Sequence, residues 1–184
     1  MNDIIQTKGD FRVRLEIDEH PENPRRTYDH LVNVITPKGQ RFIDVDEDGG
    51  PLQYGWDHFA DSENGTDKFI RWARIMHSAT AVYVRPADGM GVRAIWYVMP
   101  DNAKETTYTP QQLIDSEVRE YQSWAEGDAW TYIIEKREVW VPEDRNDDSR
   151  RMISWAAQDS LSGLIGRDYA EESARRALPD FLSA

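Results

Sequence analysis

The sequence predicts one α+β domain, a mostly antiparallel sheet covered by about three helices. Residues 11–18 alternate strictly between apolar and charged side chains, as in a half-buried strand. Residues 110–126 repeat apolar positions at helical spacing. The 184 residues contain no internal repeat and no linker long enough to divide them, so a single domain over residues 1–184 is expected.

The predicted strands are rich in β-branched and aromatic residues. In residues 11–18, Phe11 to Ile17 alternate with charged side chains. The Asp88-Gly89 pair supplies a tight turn, which predicts a hairpin. For residues 152–157 a strand is favoured over a helix. The five predicted strands of the sheet are 11–18, 31–35, 81–86, 92–99 and 128–141.

Three helices are predicted, at 66–78, 110–126 and 168–178. The second has the clearest boundaries, because Thr109 and Gln112 fit a capping box and Gly127 suits the end of a helix. Thr66 is predicted to cap the first helix and Pro179 to end the third.

The remaining segments show neither the two-residue period of a strand nor the 3.6-residue period of a helix. Residues 1–10 are predicted to be flexible, and residues 19–29 form a loop with two prolines. Residues 44–65, rich in Asp, Gly and Asn, are predicted to be irregular. Residues 142–150 are predicted to form a charged loop.

The composition excludes several classes of function. The formal net charge is −12, opposite to the balance of a general nucleic-acid binder. The chain has no Cys, which excludes a disulfide framework, a thiolate metal site and a Cys nucleophile. Solubility is the simplest explanation of the charge, and an acidic surface for a basic partner is the sharper one. The candidate acidic surface comprises Asp44, Asp46, Asp48, Glu143, Asp144, Asp147 and Asp148.

The expected location is inside the cell. No basic stretch followed by an apolar run opens the sequence. No apolar run approaches the ~18 residues that a membrane span needs. We therefore expect a soluble protein that does not contact a membrane.

No catalytic constellation or cofactor motif is visible. Residues 44–49 resemble the start of a calcium loop, but the twelfth position, which needs a bidentate Glu, is Gly55. A solvated acidic turn is therefore favoured, and no metal or cofactor is predicted.

One loop gathers polar side chains of the kind found in small binding sites. A solvated loop with a few structural hydrogen bonds is favoured, and a small polar site is the alternative. The candidate binding residues are Asp18, His20, Arg25, Arg26, Asp29 and His30.

Three stretches resemble a family of small acidic uncharacterised bacteriophage and prophage proteins. One runs from Glu117-Val118 through Tyr121, Trp124 and Gly127-Asp128 into the following strand, and another from Asp18 and Pro21 to Leu31. The third comprises Asp159-Ser160, Gly163, Gly166, Tyr169-Ala170, Glu172 and Ala174. The chain has Val32-Asn33-Val34-Ile35 where the family has Asn-Leu-Gly-Thr-Met and then a His-rich segment. The resemblance implies a phage or prophage origin and a cytoplasmic setting in the infected cell, and it implies no activity.

These observations favour a non-enzymatic acidic protein that binds a host or phage macromolecule, as a counter-defence factor or a DNA-mimicking inhibitor. The expected partner is a protein, such as a basic or nucleic-acid-binding host protein, rather than nucleic acid itself. Two alternatives stay open: a small-ligand-binding protein or enzyme with its site in the 18–30 loop, and a virion or assembly protein. The sequence leaves the oligomeric state open.

Overall fold

The chain divides into two compact units in a computed structural model that describes residues 3–27, 30–36, 50–85, 94–104, 106–140 and 152–183. The first unit combines Met1–Glu22 with Gly127–Ala184, and the second is Asn23–Glu126. Each unit has its own antiparallel sheet and helices, so the predicted α+β class is confirmed. In chain order the elements are β1 (Asp3–Lys8), β2 (Phe11–Ile17), α1 (Pro24–Thr27), β3 (Asn33–Ile35), α2 (Gln53–Phe59), α3 (Gly65–His77), β4 (Thr80–Val84), β5 (Ala94–Val98), α4 (Pro100–Ala103), α5 (Pro110–Ala125), β6 (Ala129–Trp140), β7 (Met152–Ile165) and α6 (Arg167–Phe181).

The first unit packs a four-stranded sheet, in the order β1-β2-β6-β7, against α6. The alternation of β2 sends Val13 and Leu15 into the core, where they meet Ile134 of β6. The small residues Ala170 and Ala174 of α6 are fully buried in the same core and allow the helix to lie close to the sheet. The charged residues of β2 therefore share the opposite face of the sheet.

The second unit has a three-stranded sheet in the order β3-β5-β4, with helices packed on both faces of β5. Trp96 lies in a core with residues of α5, whereas Ile95 and Tyr97 lie in a core with residues of α2 and α3. Every residue of β5 is buried, because both faces of the strand are covered. The strand is therefore continuously apolar rather than alternating.

The strands expected in one sheet fall into two. Residues 80–84, 94–98 and 33–35 pair only with one another among the described strands, and β4 and β5 are antiparallel, as in the predicted hairpin. The Asp88-Gly89 turn lies outside the described residues. Residues 3–8, predicted to be flexible, form β1, which pairs with β2. The favoured strand at 152–157 is confirmed as part of β7.

The region at 44–65 is not irregular throughout, because residues 53–59 form α2. Its signal is the helical spacing of Leu52, Trp56 and Phe59, which pack against the α3 side of the sheet. Helix α3 begins after Asn64, whose φ is 56°, rather than with Thr66 as its cap.

Helix α5 begins and ends where the sequence predicts. Its capping box is present, with Gln112 N donating to Thr109 Oγ1 at 3.3 Å and Thr109 N donating to Gln112 Oε1 at 2.9 Å. The prediction that Pro179 ends α6 is wrong, because the helix continues to Phe181. The buried Leu178 anchors the last turn, and its carbonyl accepts a bond from Leu182 N at 3.2 Å.

Candidate functional site

The predicted polar loop is shared between the two units. Asp18 and His20 belong to the first unit, whereas Arg25, Arg26 and His30 belong to the second. Asp29 lies outside the described residues. The carboxylate of Asp18 accepts bonds from His20 N and Gly163 N, both at 3.1 Å. These bonds give Asp18 a structural role within the first unit.

Two of the candidate residues, Arg25 and His30, contact the same carboxylate, that of Glu117, which was not a candidate. The Arg25 Nη1 donates to Glu117 Oε2 at 2.6 Å, and His30 Nδ1 lies 3.2 Å from the same oxygen. The Arg25 side chain is only 2% exposed. Its Nη2 also donates to the Val32 carbonyl at 2.8 Å, while the Arg26 side chain is exposed. Arg25, which is buried, and His30, which is partly buried, thus belong to one cluster centred on Glu117.

Glu117 ties the segment around α1 to α5 with both of its oxygens. Its Oε1 accepts a bond from Val32 N at 3.1 Å, while Oε2 holds Arg25 and His30. The sequence contained a signal for this role. Glu117 lies three residues after Ile114 and four before Tyr121, so a carboxylate interrupts the apolar stripe of the helix and needs a cationic partner there.

The cluster alters the protonation of its members. The hydrogen bond to Glu117 raises the pKa of His30, against the opposing effects of burial and of the Arg25 charge. Burial raises the pKa of Glu120, one turn along α5, and the negative charge of Glu117 adds to that rise. The charges are therefore coupled across α1 and α5.

A second polar network lies on the sheet of the first unit. Glu135 of β6 is buried, and it accepts bonds from Arg12 Nε at 2.6 Å and Arg14 Nε at 3.0 Å. The Arg12 guanidinium also lies 4.0 Å from the ring centre of Trp155. Burial raises the pKa of Glu135, but the bonds from Arg14 and Arg12 outweigh it and lower the pKa overall. The network pairs its charges internally, as a structural ion cluster does.

Among the described residues of the first unit, the most exposed apolar feature is a two-stranded ribbon, residues 137–140 and 152–155. The pairing of β2 with β6 stops at Phe11 opposite Lys136, while β6 and β7 continue beyond it. Val139 is paired with Ile153 and Trp140 with Met152. These four side chains are 50%, 55%, 63% and 71% exposed, respectively. Because successive pairs point to opposite faces, the ribbon is apolar on both sides.

The seven residues of the candidate acidic surface, from Asp44 to Asp48 and from Glu143 to Asp148, lie outside the described residues. Within the described ranges no three His, Asp or Glu side chains are gathered as a metal site would need. No helix in those same ranges combines the length and the apolar character needed to cross a membrane.

Comparison with protein-family models, with curated proteins and with solved structures gives no match to this chain. The candidate site is therefore defined by the geometry of the chain itself.

Proposed function

We propose that this chain is a non-enzymatic, phage-type acidic protein that binds a protein partner through the ribbon. The partner we propose is a basic host or phage protein, and the binding serves counter-defence or inhibition of a nucleic-acid enzyme. The observation that carries the proposal is the exposure of Val139, Trp140, Met152 and Ile153 on an element that projects beyond β2.

The ribbon has the composition of a binding element rather than of a solvated hairpin. A two-stranded ribbon is marginally stable alone in water. Exposed apolar side chains on both of its faces are unfavourable in water and are typical of an interaction site. Trp and Met are enriched at protein interfaces, and Trp often supplies a large part of the binding energy. Trp140 is held in place by a bond from its Nε1 to Ser154 Oγ at 2.9 Å, which reduces the ordering cost of binding.

The charge of the chain supports a basic partner. The first unit carries 18 acidic and 11 basic residues, and the second carries 16 and 11, so the charge of −12 is spread over both. Complementary charge mainly accelerates association and selects against acidic partners. The apolar ribbon supplies affinity, and the net negative charge of the chain supplies selectivity.

The test uses the full chain as bait in a host-cell extract, followed by purification of the captured protein and a direct affinity measurement. Trp140→Ser combined with Met152→Ser should weaken that complex by about tenfold or more. Raising the salt from about 0.05 to 0.5 M should also weaken it, because the charges that attract a basic partner are screened.

Ile75→Ser combined with Met76→Ser is the matched control, because these neighbours in α3 are 61% and 66% exposed. The control should bind as the unchanged protein does. The proposal fails if the two double variants bind equally well. It also fails if every complex formed by the unchanged protein is kept by the variant that combines Trp140→Ser with Met152→Ser. If the ribbon variant weakens the complex but salt does not, the ribbon is still the binding element, and the proposal of a basic partner is rejected.

A further inference from the structure

We propose that Arg25, Glu117 and His30 form a proton-sensitive latch, in which protonated His30 fastens the segment formed by residues 24–27 and 30–32 to α5 and neutral His30 loosens it. The inference does not depend on the proposed partner. It concerns only the second unit, in which all three residues lie.

Both ring nitrogens of His30 face hydrogen-bond acceptors, so both need a proton to make their bonds. His30 Nδ1 lies 3.2 Å from Glu117 Oε2, and His30 Nε2 lies 2.9 Å from the Pro24 carbonyl oxygen. An ionised carboxylate and a backbone carbonyl both accept hydrogen bonds and donate none. A neutral imidazole has one N–H and satisfies only one of them, whereas an imidazolium donates to both. The arrangement is therefore complete only when His30 is charged.

The charges that face His30 come from both elements packed around it. Glu117 and Glu120 lie on α5 and favour the charged imidazole, while Arg25 lies on α1 and opposes it. The Arg25 guanidinium is already bonded to Glu117 and to the Val32 carbonyl. The hydrogen bond to Glu117 outweighs the opposing effects of burial and Arg25 and raises the pKa of His30. The latch therefore closes at lower pH and loosens as the pH rises through the raised pKa.

The latch controls access to the core of the second unit. Val32 is fully buried in the core that also contains Trp96 and Ile114, and Leu31 packs against it. Val32 N donates to Glu117, so its amide reports directly on the closed state. Loosening of the segment exposes apolar side chains and backbone groups that α5 covers in the closed state.

The test combines proton NMR titration of the His30 ring with amide hydrogen exchange, corrected for intrinsic exchange rates, at several pH values. His30 is expected to titrate above pH 6.5, the ordinary histidine value. The protection of amides in residues 25–27 and 30–36 should fall several-fold as the pH rises, with the same midpoint as the ring.

His30→Gln removes the titrating group and should abolish this pH-dependent change. His20→Gln, which alters an exposed histidine of the first unit, should leave it intact. The latch is rejected if His30 titrates at or below pH 6.5, or if protection in the unchanged protein and in His30→Gln falls in parallel. If His30→Gln fails to fold, non-coincident midpoints in the unchanged protein reject the latch, and coincident ones support it.

Discussion

The guanidinium of Arg25 lies 2.6 Å from the carboxylate of Glu117, a residue 92 positions away in the sequence. Glu117 also accepts a bond from Val32 N and lies 3.2 Å from His30 Nδ1, so it joins both α1 and the residues that follow it to α5. Such a partly buried pair adds little stability relative to a well-packed apolar pair, but the loss of one partner leaves the other charge uncompensated where water reaches it poorly.

We expect Arg25→Ala to lower the free energy of unfolding by up to about 3 kcal/mol, because Glu117 then loses a cationic partner in a position that is only 15% exposed. Arg25→Met combined with Glu117→Leu should cost clearly less than the sum of the two single changes. Urea denaturation followed by circular dichroism measures both. Arg71→Ala, at an exposed position of α3, is the control and should stay within about 0.5 kcal/mol. Additive effects of the pair would contradict the prediction.

Glu135 should make the first unit sensitive to acid. Its pKa in the folded protein is lowered from 4.5 overall, because the bonds from Arg14 and Arg12 outweigh burial. The ion pair therefore stabilises the fold above pH 4.5, and this stabilisation is lost as the pH falls through the lower folded pKa. We expect Glu135→Gln to be less stable than the unchanged protein at pH 7, with the difference shrinking below pH 4.5.

Urea denaturation at pH 7, 5 and 3.5 provides the measurement. Glu138→Gln, an exposed position on the same strand, serves as the control for removal of a carboxylate. A stability difference for Glu135→Gln that stays constant from pH 7 to pH 3.5 would show that Glu135 acts through its shape rather than its charge.

The sequence predicted the elements whose signals are local. The period of residues 11–18 and the Thr109 cap both act over a few positions, so β2 and α5 were found with their correct faces. Sheet membership was not predictable in this way, because it depends on which strands pair across the chain. Strand β2 pairs with β6 more than 100 residues later, and no local pattern encodes that choice.

The candidate site shows the same division. Arg25 and His30 were predicted because charged groups cluster in one loop, but Asp18 and His20 share that loop and belong to the other unit. Glu117, the partner of Arg25 and His30, is distant in sequence and was visible only as a carboxylate on the apolar stripe of α5. The ribbon was predicted as strand residues, and its exposure follows from β2 starting only at Phe11, opposite Lys136, which sequence periodicity does not indicate.

The capping box of α5 gives a prediction about a helix boundary. Thr109→Ala removes the hydroxyl that accepts from Gln112 N and should cost about 1 kcal/mol. Gln112→Ala removes the bonds that Gln112 Oε1 accepts from Thr109 N and Thr109 Oγ1, but it keeps the bond from the backbone N of residue 112 to the Thr109 hydroxyl, so it should cost less. Thermal unfolding of the two variants compares the costs. Equal losses would indicate that the two bonds form one cooperative unit.

Gly55 and Gly127 should respond to alanine for different reasons. A Cβ at Gly55, in α2, would overlap the ring of Trp72, whereas a Cβ at Gly127 would meet nothing within 4 Å. Gly127 instead has a φ of +78°, which a residue with a Cβ adopts at a cost of about 1 to 2 kcal/mol. We expect Gly55→Ala to cost about 1 to 3 kcal/mol through the displaced ring, although alanine is the better helix former.

A double-mutant cycle with Trp72→Leu separates the two causes. In the Trp72→Leu background the overlap is removed, so Gly55→Ala should become neutral or stabilising, because the helix gains about 1 kcal/mol of intrinsic propensity. Gly127→Ala should cost the same in both backgrounds, since its strain lies in its own backbone. Urea denaturation of the unchanged protein and of each single and double variant gives the coupling energies. If Gly55→Ala remains equally destabilising in the Trp72→Leu background, the contact with the Trp72 ring is not the reason for glycine at this position.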